Sequence, residues 1–190
     1  MRIQRLFKTL LVVLAGAYFC APVSQAANIN INFTGFITPG SCDVDLDRPA
    51  LNLGNVDFLS LKAGAQLANI ASFNASIHNC YLSLATTYRP AIQITGEGFD
   101  ADGKFLFRSA DSASSGIGVL LYHSAGAPQY ADASLKSGDY IDLGGAGSTP
   151  SDTSLPFFVG VSCGSVADCA ANAISPGSLV SRIMINFRYY

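Results

Sequence analysis

Four cysteines carry the most definite chemistry in this chain. Cys42, Cys80, Cys163 and Cys169 stand in the body of the sequence, and a fifth, Cys20, lies in an apolar stretch near the start. Thiols so placed either pair with one another or hold a metal ion. No CxxC pair is present, and only His78 and His123 could complete a ligand set, so zinc or copper is disfavoured. Four oxidised cysteines allow three pairings, and the favoured one joins Cys42 to Cys80 and Cys163 to Cys169. On the loop-entropy model the first bridge stabilises by about 4 kcal/mol and the second by about 2 kcal/mol. A catalytic constellation is not in evidence: there is no GxSxG, and the carboxylates are scattered over turn-rich segments where they are solvated. The residues therefore suggest neither an enzyme nor a cofactor.

Disulfides imply an oxidising compartment, and the first residues supply a route to one. Arg2, Arg5 and Lys8 open the chain, Leu10 to Cys20 is apolar, and Ser24, Gln25 and Ala26 place small side chains at the two positions a signal peptidase reads. Cleavage is expected between Ala26 and Ala27. The apolar run, about a dozen residues, falls short of the roughly 20 that a spanning helix needs. A lipoprotein reading through Cys20 is disfavoured by the bulky Phe19 before it. Removal of residues 1–26 leaves about 164 residues, enough for one domain with a real core. The three basic residues leave with the leader, taking the formal charge from −2 to about −5, which excludes a basic patch for nucleic acid.

The elements that must position the cysteines read as strands. Leu51, Leu53 and Val56 alternate around Gly54, and Phe73, Ala75 and Ile77 alternate towards Cys80. Ala91 to Thr95, Lys104 to Phe107 and Ile117 to Tyr122 are further candidates, with Glu97 to Lys104 expected as a loop and Gly144 to Asp152 as a surface loop. No helical period links them, so the expected fold class is all-β, an antiparallel sandwich.

Both ends of the mature sequence alternate as well. Ile29, Ile31, Phe33, Gly35 and Ile37 share one face of an extended segment, with Asn28, Asn30, Asn32 and Thr34 on the other, before Pro39 and Gly40 make a turn. At the far end Ile183, Ile185, Phe187 and Tyr189 share a face, and Arg182, Met184, Asn186, Arg188 and Tyr190 take the opposite one. Either the first and last strands pair within one domain, or the last strand borders a groove that takes a strand from elsewhere.

The ordered set of these segments resembles the pilin subunits of the chaperone/usher pathway of Gram-negative bacteria, over essentially all of residues 27–190. The stretch from Ile31 to Cys42, "INFTGFITPGSC", is similar to the family's N-terminal extension running into its first cysteine. "LNLGNV" from Leu51 resembles an early-strand motif, and "FNASIHNC" resembles the approach to the second cysteine. Gly177, fourteenth from the end, with the alternating apolar residues and the penultimate Tyr189, resembles the family's C-terminal motif.

The resemblance implies an incomplete immunoglobulin-like β-sandwich that lacks its last strand, a structural subunit of an adhesive fimbria at the cell surface. Residues 1–26 would be the leader, 27–41 the donor-strand extension and linker, and 42–190 the pilin domain. A periplasmic pilus chaperone would lend a strand to the groove beside Ile183, Ile185, Phe187 and Tyr189, and would anchor the terminal carboxylate at Tyr190. At the outer-membrane usher, Ile29 to Ile37 of the neighbouring subunit would replace that strand, with Gly35 seated where the groove is shallow. The extension is shorter than in many rod-forming pilins, and the pair Cys163 and Cys169 is outside the common pattern. That pair is either a plain staple or a constrained loop touching a host receptor. A minor tip or adaptor subunit with a direct receptor-binding role is the alternative reading.

Overall fold

Phe73, Ala75 and Ile77 alternate with Asn74, Ser76 and His78, and that period-two pattern builds the longest strand of the domain, β2 (Ala68–Leu82). Its three apolar side chains are buried and the intervening polar ones point outward. The computed structural model describes residues 40–82, 87–171 and 174–190, all within one compact unit from Ile37 to Tyr190. The expected leader, residues 1–26, and the alternating segment from Ile29 to Ile37 lie outside the described residues.

Among the described residues, nine strands form two antiparallel sheets. In one, β1 (Gly40–Leu46), β2, β8 (Thr153–Ser162), β6 (Gly118–His123), β5 (Lys104–Phe107) and β4 (Gly98–Ala101) lie in that order. In the other, β3 (Pro90–Gly96) sits between β7 (Tyr140–Asp142) and β9 (Ile183–Tyr189). Between the sheets, Phe73, Ile77, Ile92, Ile94, Phe107, Leu121 and Phe157 make the main core. Phe73 and Phe157 stack across the β2–β8 pair at 5.3 Å. The neighbours β1, β2, β8 and β6 reproduce the A, B, E, D order of an immunoglobulin sheet, and β3 and β9 stand as its C and F strands. Among the described residues no strand takes the place beside β9 where the last strand of that fold would lie.

Several expectations need correction. Leu51 to Val56 is not a strand. Gly54 adopts φ +69°, and its N–H donates to the Asn52 side chain, so the chain turns there while Leu51 and Leu53 still pack against the core. Glu97 to Lys104 is not a plain loop either: β4 and β5 form a hairpin closed by Asp102 and Gly103, both with positive φ (46° and 79°), the geometry of a two-residue type I′ turn. The sequence reading also omitted β1, β7 and β8. The last is central and buried on both faces towards its end, so it shows an apolar run, "FFVGV", in place of alternation. Two short helices were missed, α1 (Phe58–Lys62) and α2 (Val166–Ala171). Asp57 caps α1 through Leu59 and Ser60 N–H, and Ser165 and Asp168 form a reciprocal capping box at α2.

Candidate functional site

The two disulfides fix the frame on which a site is built. Cys42 on β1 is bonded to Cys80 on β2, with Cα atoms 4.1 Å apart. This bridge ties the edge strand β1 to the sheet, where Asp43, Asp45 and Asp47 reach Asn79, His78 and Asn74 on β2. The Asp45 carboxylate, 2.7 Å from His78 Nε2, raises the imidazole pKa above its ordinary value. His123 Nδ1 lies 2.9 Å from the carbonyl of Pro156. Each histidine is thus engaged by its own neighbours, and among the described residues no group of three or more His, Cys, Asp or Glu is placed to hold a metal ion.

Alongside β9 lies a groove of about 940 Å³. Its floor is the interior face of the first sheet, lined by Phe73, Val119 and Val159. One wall is the turn-rich stretch from Leu46 to Val56, tacked to the sheet where Asn69 Nδ2 donates to the carbonyls of Leu53 and Asn55. The other is Pro176 to Ile185, the run into β9. That run is laced to residues 109–114: Ser109 N–H donates to Val180, Ala113 and Ser114 N–H donate to Ser178, and Val180 N–H donates to Ser112 Oγ. The Arg182 guanidinium grips both carboxylate oxygens of Asp111 at 2.8 and 2.7 Å, holding that carboxyl below its usual range.

The edge of β9 that faces this groove is armed with backbone groups. Arg89 and Tyr190 exchange N–H···O bonds of 2.9 and 3.0 Å, which sets the phase of the β3–β9 ladder. Hydrogen-bonded pairs recur at every second residue, so Arg188, Asn186 and Met184 bond to β3. The N–H and C=O groups of Ile183, Ile185, Phe187 and Tyr189 therefore point the other way, to the edge that no described strand covers. The same four residues turn their side chains inward.

The predicted residues are brought together in part. Ile183 and Ile185 line the groove, and Gly177 stands in its wall, where φ is +154° and a Cβ would lie 2.7 Å from Ser114 N. Phe187 packs on the core and meets Tyr189 edge-on at 5.1 Å. Tyr189 is not among the groove's lining residues and sits at the Gly40 end of β9: its ring lies 3.0 Å from where a Gly40 Cβ would be, and desolvation raises its phenol pKa. Tyr190 stands outside the groove, stacked on Tyr140 at 4.3 Å with its hydroxyl donating to Asp142 at 2.6 Å. From sequence, Phe73, Val119 and Ile117 are legible only as strand residues, and nothing in it assigns the floor or the end wall of Leu61, Ile117 and Val161 to a site.

No family model matches the chain, and no curated protein matches it in sequence. Solved structures do match in fold. A chain from the structure of a chaperone-usher pilus, concerned with rod uncoiling, is 14% identical with a TM-score of 0.51, over 90% of this chain and all of that one. The P pilus rod subunit PapA is also 14% identical, with a TM-score of 0.50 over 80% of this chain and all of that one. At this identity the likeness concerns the fold: the described domain has the incomplete sandwich of a pilus subunit.

Proposed function

We propose that this chain is a structural subunit of an adhesive fimbria, assembled by donor-strand exchange after chaperone-assisted folding. The observation that carries the reading is the groove beside β9, where an apolar floor runs alongside a row of backbone donors and acceptors that no described strand pairs with. An open edge of this kind is an aggregation hazard unless a strand covers it. Strand addition satisfies both features at once, with main-chain hydrogen bonds to the edge and alternate side chains in the groove.

On this reading residues 1–26 direct export and are removed. A periplasmic pilus chaperone covers the groove first and engages the C-terminus at Tyr190, and the outer-membrane usher then exchanges that cover for residues 27–41 of a neighbouring subunit. Ile29, Ile31, Phe33 and Ile37 enter the groove. Four large side chains at roughly 1.5 to 3 kcal/mol each contribute on the order of 10 kcal/mol before ordering costs. The product is a fibre at the cell surface that contributes to adhesion.

The test compares chaperone-complex yield with fibre yield for changes on the two faces of the extension. Ile31→Asp or Phe33→Asp puts an unpaired carboxylate into an apolar groove and should leave the chaperone complex while abolishing fibre. Asn30→Asp and Asn32→Asp on the other face should leave both. Equal responses of the two faces, or joint loss of complex and fibre, would refute the donor-strand reading.

A further inference from the structure

The second disulfide sits where the groove ends. Cys163 and Cys169 are 1% exposed and belong to a small core of their own with Leu61, Ile117 and Val161, and Val56, Leu53 and Leu179 pack on it. Leu61, Ile117 and Val161 also line the groove. One set of side chains thus serves as the packing of the cystine on one side and the end wall of the groove on the other.

The backbone around the bridge is locked to α1. Cys163 Sγ lies 3.0 Å from the carbonyl oxygen of Leu61, and Ala65 N–H donates to the Gly164 carbonyl at 2.8 Å. Gly64, at φ +70°, lets the first turn of α2 approach so closely that a Cβ there would run into Val166 Cα. The Ser165 and Asp168 capping box fixes where α2 starts, between the two cysteines. Leu61 is held from behind by the closed loop Cys163–Cys169.

We propose that the Cys163–Cys169 bridge is a positioning element for the groove: through α1 it holds the end wall of Leu61, Ile117 and Val161, and so sets the size of the apolar side chain that an incoming strand seats at that end. This rests on the donor-strand reading above. Every described strand pair in the domain is antiparallel, and antiparallel pairing is the more stable per residue. β9 runs from Ile183 beside the end wall to Tyr189 beside Gly40. A donor running against it brings its last apolar residue, Ile37, to the wall and its first, Ile29, to the opposite end.

The full chain, purified with its chaperone, is challenged with fluorescent synthetic peptides of residues 27–39 in which Ile37 or Ile29 is kept or is replaced by Ala or Phe. The wild-type chain should take up the unsubstituted peptide about tenfold better than the Ile37→Ala or Ile37→Phe peptide. In Cys163→Ala/Cys169→Ala the preference at position 37 should fall below about threefold, while the preference at position 29 stays. Leu61→Ala leaves both disulfides in place and decides the matter if the double variant yields no chaperone complex: it should shift the preference at position 37 towards Phe by about tenfold. An unchanged preference at position 37 in both variants, or an equal change at positions 29 and 37, overturns the proposal and leaves the donor-strand reading standing. Failure of the wild-type chain to take up any peptide overturns the donor-strand reading and this proposal with it.

Discussion

Ile185 and Met184 are adjacent on β9 but face opposite ways, and replacing each with Ala should separate binding from stability. Ile185 lines the groove and packs on the core, whereas Met184 is 58% exposed on the outer surface of the sheet. Ile→Ala removes three carbons, which at about 0.8 kcal/mol each amount to about 2.4 kcal/mol when burial is complete. Ile185 is already largely buried in the domain by itself. Most of that loss therefore falls on the domain, and up to about 0.8 kcal/mol falls on the strand complex, at most a roughly fourfold weakening. Met184→Ala should weaken capture by less than about twofold, because a strand in the groove does not cover that face. The assay is uptake of a peptide of residues 27–39 by the chain released from its chaperone, with a denaturant midpoint measured for each variant. Equal effects on uptake at the two positions, or a larger one at Met184, would refute the assignment of the groove as the acceptor.

Three further outcomes follow from the geometry. Cys42→Ser/Cys80→Ser removes a closure over 38 residues worth about 4 kcal/mol on the loop-entropy model, and the subunit should fail to accumulate in the periplasm, as read by immunoblot against Cys163→Ser/Cys169→Ser. Gly177→Ala should lower chaperone-complex yield, since its Cβ would press on the backbone of Ala113 and Ser114, whereas Gly145→Ala, with nothing within 4 Å, should leave it unchanged. The raised pKa of His78 predicts the sign of a pH effect. Stability from its contact with Asp45 is fully present below the unfolded value near 6.5 and is lost as pH rises through the higher folded value. The stability gap between the wild-type chain and His78→Ala should shrink from about pH 6 to about pH 8.5, and an NMR titration of His78 should place its midpoint above that of a reference peptide.

What the sequence disclosed, and what it hid, divides along the period of the pattern. β2 and β9 each have one buried face, so Phe73 to Ile77 and Ile183 to Tyr189 alternate, and both were legible. β8 is buried on both faces towards its end, and a central strand of that kind has no period to read. The turn at Gly54 was hidden for the opposite reason: Leu51 and Leu53 keep a strand-like spacing, and with Val56 they reach inward from an irregular stretch held by Asn69. The caps at Asp57 and Ser165 were available as local signals, but helices of five and six residues contribute too little periodicity to draw attention to them.

The groove itself illustrates a deeper limit. Phe73, Val119 and Val159 belong to the main hydrophobic core and also form the floor beside β9. A residue that packs against its own sheet and one that awaits a strand from another molecule obey the same physical rule, since both are apolar side chains on an inward face. Composition and alternation cannot distinguish them. What distinguishes them is the strand that is absent beside β9 among the described residues, together with the direction of backbone groups set by the Arg89 and Tyr190 pair. Site and core are here the same residues seen from two sides. A substitution in the floor should therefore register in both stability and assembly, whereas one on the open edge of β9 that spares the floor should register chiefly in assembly.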